Sequence, residues 1–183
     1  MIKKILVGLF SLFVFVMTFV NFANAETKTY PHWTKSPITV YIPKDEKAQT
    51  MRHAFEKWQS MSSGKLKFQF VAKGPADIDV AFVEKVDGSD GPLGSNKIII
   101  KKGMITKAEI RMATKGNKKY SNDLVYTTML HEIGHVLGLQ ESTRKGSSIM
   151  NMPVNEKQDI LKKDISNLYH VNGWSYMNRR FND

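Results

Sequence analysis

The sequence predicts an α+β domain. Period-two alternation of apolar and polar residues marks five short runs, and apolar residues recur at three- and four-residue spacing in three others. Their order along the chain is β, α, β, β, β, β, α, α. No internal repeat, low-complexity tract or Pro/Gly-rich linker divides residues 26–183, so one domain is expected to hold them all.

Residues 37–43 alternate between Pro37 and Pro43, which bound a strand. Asp45 is placed to cap a helix whose apolar face is Met51, Ala54, Phe55, Trp58 and Met61, ending before Gly64. Residues 66–70 and 77–83 alternate as half-buried strands. Beyond a Gly- and Asp-rich loop over 87–96, residues 97–101 and 108–112 make two more, flanked by Gly103 and Gly116. Ser121, Asn122 or Asp123 caps a helix from about Leu124, with Val125, Met129, Ile133 and Val136 along one face and Gly138 as its stop. A last helix is expected from Asn155 to about His170, burying Leu161, Ile165, Leu168 and Tyr169.

The first residues have a different character. Lys3 and Lys4 precede an uncharged apolar stretch that ends in Ala23-Asn24-Ala25, the layout of a secretory signal peptide. Residues 1–25 are therefore expected to be cleaved after Ala25, leaving an extracellular chain from Glu26; an uncleaved anchor is the alternative, although the run falls short of the roughly 20 residues of a spanning helix. There is no cysteine, which excludes disulfides and thiolate metal sites. The formal net charge is +10, and basic residues concentrate between Lys97 and Lys119, including Lys101, Lys102, Lys107, Arg111, Lys115 and Lys118. These charges suit either a solvated rim or contact with an anionic cell envelope. Nucleic acid is not expected, since only Tyr120 supplies an aromatic near the charges, and a monomer is expected.

Chemistry concentrates in His131-Glu132-Ile133-Gly134-His135-Val136-Leu137-Gly138-Leu139-Gln140-Glu141. Positions i and i+4 of a helix share a face, so His131 and His135 can present ring nitrogens to one zinc ion. Glu132, about 100° round the axis, can reach the open metal position without occupying it, as a general base requires. Two surface histidines on an ordinary helix are the plain alternative. Gly138 turns the backbone, so Glu141 can swing back as third ligand. Glu141 as a solvated loop carboxylate stays open, and His32, His53 and His170 have no comparable motive.

This run resembles the extended HExxHxxGxxH signature of the metzincin metallopeptidases, and the chain over about residues 30–171 resembles the matrixin family. The resemblance implies a twisted, mostly parallel five-stranded sheet with three helices, two above a cleft and one below, and a secreted zinc endopeptidase. It implies that Met150, in Ser148-Ile149-Met150, is the methionine turn packed beneath the ligands. It also implies an extended peptide substrate along an edge strand near residues 98–101, with Asn151-Met152-Pro153 as a pocket wall one residue longer than usual. Three departures stand out. Glu141 replaces the family's histidine; no histidine lies between His53 and His131, so the family's second zinc is not expected; and no cysteine is present to hold the enzyme latent. Calcium could use Asp87 and Asp90, though their spacing matches no defined loop. The rival function is a secreted binding protein that keeps the fold without cleaving, against which the intact Glu132 argues.

Overall fold

The structure, a computed structural model, describes residues 30–86, 91–115, 120–142 and 148–175. The expected leader with its cleavage point, Asp87, Asp90, Gly116 and Lys118 lie outside the described residues. Strands β1 (Ile38–Tyr41), β2 (Phe68–Val71), β3 (Ile78–Phe82), β4 (Gly94–Lys101) and β5 (Met104–Met112) form a five-stranded sheet in the order β2-β1-β3-β5-β4. Among the described residues only β4 and β5 pair antiparallel. With helices α1 (Ala48–Met61), α2 (Asn122–Val136) and α3 (Lys162–Val171), this is the mostly parallel α+β architecture expected.

Register explains where the core sits. Ile38 lies opposite Phe68, Val40 opposite Phe70 and Ile78, Ile78 opposite Ala108, and Val80 opposite Ile110. Partners in register share a face, and the aliphatic members of these rows are all buried. Phe55 of α1 packs edge-on against Phe68 and Phe70, at 5.1 and 6.2 Å between ring centroids. Trp58, fully buried, donates its indole N–H to the Leu130 carbonyl at 3.0 Å and so joins α1 to α2. The Tyr169 hydroxyl donates to the Ser62 carbonyl at 3.0 Å, which ties α3 to the end of α1.

Helix α2 is set by local signals at both ends. The Ser121 hydroxyl accepts the Leu124 amide at 3.1 Å, and Gly138, at φ +95°, turns the chain away after Leu137. Between these ends every residue from Thr127 to Gly134 is buried, so the helix runs through the molecule rather than along its surface.

Several expected boundaries move. Asp45 does not cap α1: its carboxylate accepts the Lys47 amide within the preceding turn, and the helix begins at Ala48 without a side-chain cap. The second strand is displaced to Phe68–Val71. The fourth begins at Gly94 instead of 97, where residues 94–96 pair with 110–112 of the fifth, and the fifth begins at Met104 instead of 108, because Lys102 and Gly103, at φ 51° and 76°, make the hairpin turn just before it. The last helix begins at Lys162, not Asn155. Lys157 has φ 60°, outside the helical region, and the Asp164 carboxylate takes the Leu161 amide at 2.8 Å as the first turn forms. Leu161 is therefore not part of the buried stripe but 43% exposed. Among the described residues no helix is long and apolar enough to cross a membrane.

Candidate metal centre

Helix α2 brings His131 and His135 together, with their Nε2 atoms 3.0 Å apart and their rings nearly perpendicular. Each Nδ1 is committed elsewhere: that of His131 donates to the Ile149 carbonyl at 2.8 Å, and that of His135 to the Leu139 carbonyl at 3.0 Å. A carbonyl only accepts, so both hydrogens sit on Nδ1 and both Nε2 atoms present lone pairs to the same point. Burial lowers the pKa of both rings; proximity to His131 adds to the effect at His135, while the carbonyl bonds and the Glu141 charge oppose it at each ring. Two neutral imidazoles with converging lone pairs and backbone-fixed tautomers are a donor set for a cation. Their separation is close to the roughly 3.3 Å between two ligand nitrogens on a tetrahedral ion with Zn–N bonds of about 2.0–2.1 Å.

Both carbonyls are held in place by the fold. Leu139 is buried, and its amide bonds back to the Gly134 carbonyl at 3.0 Å once Gly138 has made its turn. A Cβ at Gly138 would collide with the Pro31 carbonyl, so glycine is required there for space as well as for φ. Ile149 is held through Asp164, a fully buried carboxylate that accepts the Ile149 amide at 3.1 Å and the Ser148 hydroxyl. Met150, 1% exposed, lies under α2 against Gly134.

Glu132 is 6% exposed and faces β4, where its Oε2 accepts Asn96 Nδ2 at 2.7 Å. Burial pushes its carboxyl pKa up, against the lowering effects of the Asn96 amide and of neighbouring His135, while Glu141 adds to the rise. Glu141 itself is exposed. It sits on a short tether between buried Leu139 and Ser142, whose amide bonds the Met150 carbonyl at 2.8 Å. It borders the same cleft as the two histidines, yet among the described residues no three His, Cys, Asp or Glu side chains converge closely enough to form a metal cluster. His32, His53 and His170 do not border that cleft.

The cleft holds about 460 Å³. Besides the histidines and glutamates, it is lined by Pro92, Leu93 and the start of β4, by Tyr120, Leu124 and Thr128, and by Met152 and Val154. Asn151, by contrast, is buried away from it. Of the two edge strands, β2 and β4, it is β4 that borders the cleft, but the part beside it is Gly94–Asn96 and not residues 98–101, which lie towards the hairpin tip. Sequence reading missed Asn96, Gly94 and Asp164. Asn96 would have been visible as a polar residue at an inward strand position had the strand been begun at Gly94.

A family model described as matrixin matches residues 23–171. The chain belongs to the matrixin family. Similar proteins include the interstitial collagenase of Oryctolagus cuniculus, 30% identical over 64% of this chain and 27% of its own length. The neutrophil collagenase of Homo sapiens is 28% identical over the same shares, and the interstitial collagenase of Equus caballus is 30% identical over 66% and 28%. The aligned part thus spans little more than a quarter of these relatives. Against the matrixin pattern the paired histidines, glutamate, glycine and methionine are in place, and Glu141 stands where the family's third histidine would be.

Proposed function

We propose that this matrixin is an exported zinc endopeptidase, with residues 26–183 as its single domain. The observation that carries the reading is the convergence of two neutral, backbone-oriented histidine nitrogens beside a buried carboxylate at the floor of an open cleft. His131 and His135 would hold the ion and Glu141, from its tether, would complete the set. Bound there, zinc would supply Lewis-acid polarisation of a carbonyl and lower the pKa of a water to about 7.

The chain's own residues do the rest. The first half of β4 offers free backbone groups on the sheet edge, to which an extended peptide adds as a further strand. Leu124, Val154 and Met152 offer apolar surface to one substrate side chain. Glu132 takes the proton of the attacking water and returns it to the leaving amine; its raised pKa suits a group that must hold the proton between those steps.

The exported chain should bind zinc and cleave casein or gelatin, losing cleavage with chelator and falling about 10²- to 10⁴-fold on Glu132→Ala. Zinc bound without Glu132-dependent cleavage would instead indicate a binding protein on the same fold. Glu141→Gln should lower both zinc content and rate, and unchanged values would remove Glu141 from the ligand set.

The basic segment supports a narrower form of envelope contact. Lys107 is paired with Asp79 at 2.9 Å, and Arg111 lies 3.9 Å from Glu109. Lys101 and Lys102 at the hairpin tip stand exposed beside Ile99 and Ile100, which are 42% and 49% exposed. Salt-sensitive binding to envelope fractions, lost on Lys101→Glu with Lys102→Glu, is the expected result.

A further inference from the structure

Strand β4 holds Glu132 as well as bordering the cleft. Asn96 Nδ2 can only donate, so its 2.7 Å bond engages Oε2 of the carboxylate as an acceptor and fixes the orientation of the group. Two residues earlier, on the same face of the strand, Gly94 supplies the second observation. A Cβ there would lie 2.8 Å from Glu132 Cγ and from Thr128 Cγ2, and 2.9 Å from Glu132 Oε1, distances a real Cβ does not reach. The glutamate is seated in the space that the missing side chain leaves. Register places Gly94 opposite Met112 and Asn96 opposite Ile110, both fully buried, so both β4 residues face inward. The sheet itself does not require an amide at such a position, where the next inward pair is Ile98 with Ala108.

We propose that Asn96 is a positioning residue for Glu132, holding the carboxylate in the space that Gly94 leaves beside the cleft. This rests on the peptidase reading for its catalytic meaning. Asn96 acts through Glu132 and touches no reacting atom. Because the substrate would pair with the same stretch of β4, the strand that aligns the peptide backbone also fixes the base relative to it, and small misplacements of such groups cost large factors in rate.

The test compares the zinc-loaded full chain with Asn96→Ala and with Asn96→Leu, which keeps the approximate volume, in single- and Glu132→Ala backgrounds. With a casein-derived peptide, kcat should fall about 10- to 100-fold while KM stays within about threefold, at unchanged zinc content. In the Glu132→Ala background the same substitutions should cost nothing further. Should Asn96→Ala unfold the chain, the Leu variant carries the comparison. Unchanged kcat in a folded variant, a loss carried by KM, or an equal loss without Glu132 would each overturn the proposal. Acetohydroxamate affinity supplies a readout independent of turnover. If wild type cleaves nothing, the peptidase reading fails. Asn96 placement of Glu132 then still stands if the Asn96 variants and Glu132→Ala weaken acetohydroxamate to the same degree, and falls if only Glu132→Ala does.

Discussion

Gly134 sits between the two histidines and has no role in their chemistry, yet nothing larger fits. A methyl there would run into the Met150 sulfur, with Met150 Cε at 3.2 Å and the Trp58 ring at 3.3 Å. Both neighbours are at most 1% exposed, so neither has solvent to retreat into. Overpacking of this kind costs about 1–3 kcal/mol, more than alanine's better helix propensity returns. Gly134→Ala should therefore lower the melting temperature by several degrees, at about 2–4 °C per kcal/mol for a chain of this size. It should also loosen zinc, because Met150 adjoins Ile149, whose carbonyl orients His131. Calorimetry with zinc titration measures both, and an unshifted melting temperature would show that Met150 yields freely. In the sequence Gly134 is an unspecified letter of the motif; its constraint comes from a methionine sixteen positions away and is invisible in any local pattern.

At the scale of elements, Asp77 holds β1 to β3 where their ladder is short. Its carboxylate accepts the Thr39 amide at 2.8 Å and the Thr39 hydroxyl at 2.6 Å, and pairs with Lys35 at 2.8 Å. Burial alone would raise its pKa, but the Lys35 and Thr39 bonds outweigh it and hold the carboxyl below its usual value. A depressed folded-state pKa means stability that is present above the unfolded value of about 3.9 and lost as pH falls through the folded one. Asp77→Asn should cost roughly 2 kcal/mol near neutrality, with the gap to wild type closing below about pH 4. Urea unfolding across that range tests it, and a gap independent of pH would sink the assignment. The same contrast between local and distant causes decides which elements were legible. Both ends of α2 were readable because Ser121 and Gly138 are signals carried by single residues. The start of β4 was not: Gly94, Ser95 and Asn96 have the composition of a turn, and only their pairing with residues 110–112 of β5 makes them strand. The last helix was begun too early because its true start is set by Asp164, whose buried carboxylate also serves Ser148 and Ile149.

For the whole molecule, the site depends on segments far apart in the chain. Asn96 comes from β4, His131, Glu132 and His135 from α2, and the Ile149 carbonyl from a turn that α3 holds through Asp164. The histidines converge only because the helix is formed, and their tautomers are set only when Leu139 and Ile149 are in place. An ion bound there prefers the folded chain, so its binding free energy adds to folding stability. With zinc at about a hundred times its dissociation constant the gain is about 2.7 kcal/mol, and with no cysteine available no disulfide holds the fold in its place. Zinc should accordingly raise the melting temperature, EDTA should reverse the rise, and His135→Ala should abolish it while leaving the metal-free melting temperature near that of wild type, since His135 is only partly buried. A rise of equal size in His135→Ala would place the stabilising ion elsewhere, on carboxylates outside this pair, and would separate the fold's need for metal from the chemistry of its cleft.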